Sequence, residues 1–271
     1  MSRRRPWKTA LGVLFTALML FPVYWIVNVS LTKTSDMRAD PPHWFPWDPT
    51  LEGYTAVFDQ QLANLGTSLL VGLGCVALTL VISAPAGYAI AKLRAPGATT
   101  LNFVLLVAQM IPSVVMAMGF YAMYVRLGWL NSVWGLIIAD STIAVPFGVL
   151  LFTAFMSGIP REIMQAATVD GAGPWRTFRS IVMPVSRNSA LTVALFAFLW
   201  AWSDFIFAST LNRNGDLIPI TLGIFNYIGN NTTQWNAILA TAAVASLPAA
   251  VLLVVAQRYV AGGVTAGAVK D

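Results

Sequence analysis

Long apolar runs alternate with shorter polar stretches along this chain. Six runs carry almost no charge and are long enough to cross a bilayer: residues 10–30, 67–91, 101–124, 133–156, 190–211 and 237–256. A crossing helix needs about 20 apolar residues for roughly 30 Å of hydrocarbon. The pattern therefore predicts an all-α membrane protein with six transmembrane helices. Prolines 22, 85, 112, 146 and 248 fall in all runs but the fifth. In lipid each bends its helix and frees a carbonyl that a neighbour must satisfy. Two polar intervals are long, 31–66 and 212–236, and are read as loops. The 92–100 interval "KLRAPGATT" is short, and a 257–271 tail follows the last run. The interval around 158–187 breaks the pattern differently. Its stretch "REIMQAATVDGAGPWRTFRSIVMPVSR" (161–187) sets four arginines, Glu162 and Asp170 around an Asp-Gly pair.

Composition agrees with the membrane class: 57% of residues are hydrophobic, 10% are charged, and mean hydropathy is +0.70. The first run follows Arg3, Arg4, Arg5 and Lys8, as a secretory signal would. It is too long for a signal and lacks a small-residue cleavage site, so it reads as an uncleaved span. Basic residues then orient the chain. With the N-terminus inside, 12 of the 16 fall on the inner side, and only Lys33, Arg38, Arg126 and Arg213 fall outside. Both termini and segment 158–187 are thereby expected in the cytoplasm. The net charge of +5 is this bias rather than a nucleic-acid footprint. Cys75 and His43 each stand alone, so neither a disulfide nor a metal site is expected.

Local chemistry shapes segment 158–187. Pro160 suits a first helical turn, where its missing N–H costs nothing. Ile163, Ala166 and Ala167 then share a face, and Asp170-Gly171 ends the helix because glycine accepts the left-handed cap. Pro174 restarts the chain, Trp175, Phe178, Ile181 and Val182 form a stripe, and Arg176 and Arg179 form a basic edge. Pro184 stops the second helix. The product is a helix–turn–helix across the ends of the spans. Physics alone leaves two uses open: an amphipathic linker anchored at lipid headgroups by Trp and Arg, or a docking surface for a partner.

The same stretch resembles the E-A-A coupling motif of ABC-importer permeases in its carbohydrate form, E-x-x-x-A-A-x-x-D-G-A. Glu162, Ala166, Ala167, Asp170, Gly171, Ala172, Phe178, Ile181 and Pro184 carry the match. "PPHWFPWDPTLEGYTAVF" resembles an outer loop of sugar permeases, with Gly53 where Asn is usual. "FLWAWSDFIFA" resembles their W-N-[DE]-F segment, with Ser203 replacing Asn. "QRYVAGGVTAGAVKD" resembles the tail of the maltose-type branch, with Val264 for Leu and Asp271 for the last Gly. The resemblance implies a type I ABC importer permease fold, a single permease domain over 1–271, and a bacterial or archaeal plasma membrane. It implies that segment 158–187 fits a groove on an ATP-hydrolysing subunit, whose closure alternates access for a sugar, a di- or oligosaccharide. Thr265, Gly267 and Lys270 of the tail become further coupling residues. The implied partners are a second homologous permease in a heterodimer, two ATP-binding subunits and an extracytoplasmic sugar-binding protein, with ATP and Mg on the ATPase rather than on this chain.

Two ionisable side chains lie within the runs, Asp140 and Asp204. Charge at such depth is costly and usually faces a cavity or a partner. By helical rise Asp140 lies about 12 Å from the outer edge of its span and Asp204 about 20 Å from the inner end. The two can therefore share one cavity on the substrate pathway. The family segment leads one to expect an acid at Asp204, whereas relatives more often carry Pro-Tyr near Asp140, making Asp140 the candidate for substrate-specific contact. The plainer reading is a carboxylate satisfied by Ser141, Thr142 or a neighbouring helix. Trp202 beside Asp204 offers an aromatic face for a sugar. No G-x-x-x-x-G-K-[ST] loop exists, so ATP hydrolysis is not placed on this chain and no enzyme activity is expected of it. The rival reading is an ion-coupled secondary transporter with Asp140 and Asp204 as proton carriers. Such carriers often show paired repeats and broken helices, and neither is evident in the sequence.

Overall fold

A backbone in hydrocarbon must satisfy its own N–H and C=O groups, which favours helices wherever the apolar runs occur. The computed structural model describes residues 6–38, 41, 43–93, 95–214, 217–230 and 234–268, with no strand among them. The helices are α1 (Pro6–Ser30), α2 (Glu52–Gln60), α3 (Leu62–Lys92), α4 (Ala98–Ala108), α5 (Ser113–Leu127), α6 (Val133–Ser157), α7 (Arg161–Val169), α8 (Pro174–Thr177), α9 (Met183–Val185), α10 (Arg187–Ser203), α11 (Ile206–Leu211), α12 (Ile220–Asn230) and α13 (Trp235–Ala268). A 3₁₀ turn covers Thr34–Arg38, and a π turn, Phe178–Val182, joins α8 to α9.

Four stretches are continuous and apolar enough to span: Trp7–Ser30, Leu62–Lys92, Val133–Ser157 and Trp235–Gln257. The remaining two of the six runs are broken. Between α4 and α5 the chain bends by 97°, and between Pro174–Val185 and α10 by 78°. The 97° bend lies within the third run, whereas the 78° bend at Ser186 precedes the fifth run and sets segment 158–187 at an angle to α10. Pro112 explains the first break, since it holds an extended ψ of 134° and offers no N–H to continue α4. Prolines 22, 85, 146 and 248 stay inside unbroken helices. The fifth run, expected to continue to 211, stops as α10 at Ser203 and resumes as α11. Both long polar intervals hold helix: α2 and the start of α3 in 31–66, and α12 in 212–236.

The chain forms two compact units, Met1–Ala63 with Gly223–Leu247 and Asn64–Leu222 with Pro248–Asp271. In the first, the Thr50 N–H donates to the Leu31 carbonyl at 2.9 Å, tying the loop back to the end of α1. α2 packs so closely on the start of α13 that a Cβ on Gly53 would stand 2.7 Å from the Asn236 carbonyl oxygen. Tyr227, Ala237 and Ile238 form a small core against Ala56.

In the second unit, α6 lies along α10 and α5 along α11. α3 reaches α6 where glycine permits it: a Cβ on Gly87 would meet Phe152 Cβ at 2.5 Å. One core cluster gathers Val71, Cys75, Tyr124, Leu136 and Phe207. A second, toward the other end of α6, gathers Tyr88, Phe152, Met156, Phe178, Val182 and Val193. That second cluster anchors segment 158–187 in the bundle.

Candidate functional site

Segment 158–187 leaves the end of α6 through Ile159, which is buried with the second cluster. The Lys92 ammonium at the end of α3 donates to the Ile159 carbonyl at 2.5 Å, clasping this exit. Pro160 sits just ahead of α7, as its cap, with an extended ψ of 142°, rather than within the first turn. α7 then ends as its sequence dictates. Gly171 adopts a left-handed φ of 73°. Its N–H donates to the Thr168 carbonyl at 3.0 Å, and the Ala172 N–H donates to the Ala167 carbonyl at 2.9 Å. This pair of bonds is the Schellman arrangement, which satisfies the last carbonyls of a helix and fixes the exit angle. Pro174 opens α8 at a position that needs no N–H.

The faces differ from the expected ones. Ala167 is buried and Met164 packs on the second cluster, while Ile163 and Ala166 are exposed. The shared apolar face of Ile163 and Ala166 is thus turned out, because Ala167 and Met164 supply the small and flexible groups that fit the bundle. In the next stretch Phe178 and Val182 are buried, but Trp175 is 67% exposed, and Val169 is 87% exposed. Phe178 is held between the rings of Tyr88 and Trp175, each with its centroid 5.3 Å away. Pro184 does not stop the helix at the residue before it. The π turn widens the backbone ahead of it, so Pro184 falls in the first turn of α9, and the helical path runs to Val185. Glu162, Asp170, Gly171 and Pro184 are all exposed, and Ala172 is half-buried. Together with Val169 and Trp175 they form a rigid, uncovered surface on an anchored base.

At the other end of the α6–α10 pair lie the two acids. Asp140 is 4% exposed in unbroken helix. The Ser141 hydroxyl donates to the Ile137 carbonyl and that of Thr142 to the Ala139 carbonyl, both at 2.6 Å. Each hydroxyl hydrogen is thereby committed to backbone rather than to the Asp140 carboxylate. Asp204 is positioned otherwise. It terminates α10, and its carboxylate accepts the N–H groups of Phe207 at 3.1 Å and Ala208 at 2.9 Å, capping α11. Its carbonyl accepts the Thr221 hydroxyl. Trp202 is buried and stacks on Phe198 at 5.3 Å, inside the bundle.

The tail candidates fall at the end of α13, whose helix carries Thr265 and Gly267 and ends at Ala268; Lys270 lies outside the described residues. Sequence reasoning overlooked Tyr88 and Lys92, which hold segment 158–187 to the bundle. Only their place at the end of a span marks them. It also overlooked that Asp204 caps a helix, although an Asp ahead of an apolar helical run is a capping signal.

With this geometry in place, the comparisons with known proteins align with it. Residues 80–265 match the family described as binding-protein-dependent transport system inner membrane component. The chain is 32% identical over 253 residues to a sulfoquinovosyl glycerol transport system permease protein of Agrobacterium fabrum, covering 93% of this chain and 89% of the relative. It is 30% identical over 273 residues to a trehalose transport system permease protein of Mycobacterium tuberculosis, covering 99% of each. A bacterial ABC transporter involved in import of the acidic polysaccharide alginate has a chain with the same fold. That match has a TM-score of 0.81 at 20% identity, over 96% of this chain and 98% of the other.

Proposed function

The chain belongs to the family of binding-protein-dependent transport system inner membrane components, and on that premise we propose how its geometry works in an importer. It is the multi-pass permease subunit of an ATP-driven ABC importer for a sugar, and it operates with an ATPase and a substrate-binding protein. The relatives named for trehalose and for sulfoquinovosyl glycerol support a glycosidic cargo, a di- or oligosaccharide in our reading. The broken spans do not by themselves favour the ion-coupled reading, since the matched family and relatives are transport-system permeases that work with a binding protein. The chain itself is non-catalytic: ATP and Mg belong to the partner subunits. It pairs with a second, homologous permease as a heterodimer, and both termini lie in the cytoplasm.

The observation that carries the mechanism is the uncovered turn at Asp170-Gly171 on a base anchored by Ala167, Phe178 and Val182. Closure of an ATP-binding subunit against Glu162, Val169, Asp170 and Trp175 pushes a rigid body, because dense interiors transmit strain. The push enters α6 through Ile159 and α10 through Arg187 and reaches the opposite end of both helices. There Asp140 takes the role of a sugar-hydroxyl acceptor on the pathway, and Asp204 with Thr221 forms the joint at which α10 ends. The tail residues Thr265, Gly267 and Lys270 act as secondary contacts to the ATPase. The test is hydrolysis by the purified complex. Binding protein loaded with a di- or oligosaccharide should stimulate it, and amino acids should not. Stimulation by an amino acid in place of sugar would refute the cargo class.

A further inference from the structure

A cavity of about 450 Å³ opens beside the C-terminal end of α1, within the first unit. Trp25, Asn28 and Thr32 line it from α1 and the turn that follows, Asp36 and His43 from the loop, and Trp235 from the start of α13. None of these residues belongs to the coupling surface or the acid pair.

Three of its polar groups, Asn28, Thr32 and Asp36, share one character. Asn28 is 2% exposed, and its amide NH₂ donates to the His43 carbonyl at 3.1 Å. That bond fixes the amide orientation, so Oδ1 must be the free end, and it is buried with no hydrogen-bond partner among the described residues. The Thr32 hydroxyl donates to the Asn28 carbonyl at 2.9 Å, leaving its oxygen to accept. Ser35 donates to Asp36 Oδ1 at 2.8 Å, leaving Oδ2 for a further donor. The Lys33 ammonium is already engaged by Asp48. Two indole rings complete the wall. A buried acceptor left without a donor costs about 1–3 kcal/mol, and indole faces attract cations. The interval 31–66, which bears the cavity and includes α2, also carries five acids, Asp36, Asp40, Asp48, Glu52 and Asp59, against Lys33 and Arg38. Acceptors and negative charge together select a donor-only cation, an ammonium group.

Position identifies the source. The span Trp7–Ser30 has 24 residues, about 36 Å of helix against roughly 30 Å of hydrocarbon. Trp25 and Asn28, within a turn or two of its end, therefore stand at headgroup depth. Exposed Trp44, Phe45 and Trp47 mark the same level, as interfacial aromatics do. This chain leaves the apolar flank of α1 from Leu11 to Val27 uncovered. We propose that this cavity binds the ammonium headgroup of a zwitterionic phospholipid.

The assembled transporter tests this by native mass spectrometry in detergent with equal amounts of dioleoyl phosphatidylethanolamine and dioleoyl phosphatidylglycerol. Wild type should retain the ethanolamine lipid in preference. Asp36→Asn should cut that preference about tenfold, the equivalent of about 1.4 kcal/mol. Trp235→Leu should also reduce it, with thermal unfolding unchanged. Equal retention of the two lipids, or an unchanged preference in both variants, overturns the proposal. Stabilisation by free ethanolamine without any lipid preference assigns the cavity to a soluble amine and overturns the lipid source.

Discussion

The two ends of the α6–α10 pair present opposite surfaces. Around Asp140 and Asp204 the polar groups are turned inward, and those of Ser141, Thr142 and Asp204 meet backbone partners. Around α7–α9 the base is buried while Glu162, Val169, Asp170 and Trp175 are uncovered. The same two helices join these ends. Asp140 and Ser157 lie about 25 Å apart at 1.5 Å per residue. Charge in an apolar chain therefore has two meanings here, and burial separates them. An exposed charge on a rigid base can meet a partner protein. A buried one serves either the fold or a small ligand.

The sharpest way to break this comparison uses the neighbouring rings Phe178 and Trp175. Phe178→Ala, which empties a buried site, should cost about 3–5 kcal/mol. Trp175→Ala should change stability by no more than about 0.5 kcal/mol yet weaken co-purification with the ATP-binding subunit. Similar melting losses in both variants would erase the distinction between base and surface.

Next in size come Gly171→Pro and Glu162→Lys. Proline cannot adopt φ near +73° and would lose the N–H that donates to Thr168. Both variants should assemble but lose sugar-stimulated hydrolysis by about 5- to 150-fold, the usual range of a coupling energy. Normal stimulation in both would remove the coupling role.

Smaller effects distinguish the two acids. Asp140→Asn should lower uptake about tenfold, one charge-assisted contact of roughly 1.4 kcal/mol, with assembly and melting unchanged. Unchanged uptake would make Asp140 a structural residue. Asp204→Ala should cost about 1 kcal/mol of stability as a lost cap, and Asp204→Asn a smaller part of that, since its single acceptor oxygen can serve only one of the two N–H groups that Oδ1 and Oδ2 take separately. If Asp204→Asn lost as much uptake as Asp140→Asn, both acids would lie on the pathway.

Periodicity and composition sufficed for the spans, because the requirement for self-satisfied backbone leaves helices as the only form for long apolar runs. The Asp170-Gly171 cap was equally legible, since a left-handed turn singles out glycine by sterics alone. The broken third and fifth runs were not. Hydropathy averages over 20 residues and is blind to where Pro112 ends α4 or where Asp204 draws two N–H groups to itself. The outward turn of Ile163 and Ala166 escaped for a related reason. On a short helix every face looks half apolar, and the shape of the bundle at Tyr88 and Phe152 decides which one docks. Asp140 was visible as an anomaly, and only the geometry of Ser141 and Thr142 showed that their hydroxyls are not its donors.

The central claim is that ATP hydrolysis on a partner, transmitted through segment 158–187, moves sugar through this chain. The complete complex in proteoliposomes, with enclosed ATP and loaded binding protein outside, tests it directly. Uptake of labelled sugar should cease when the ATPase subunit is made inactive and should persist when the proton gradient is collapsed. Uptake that survives the inactive ATPase and stops with the gradient would contradict the account.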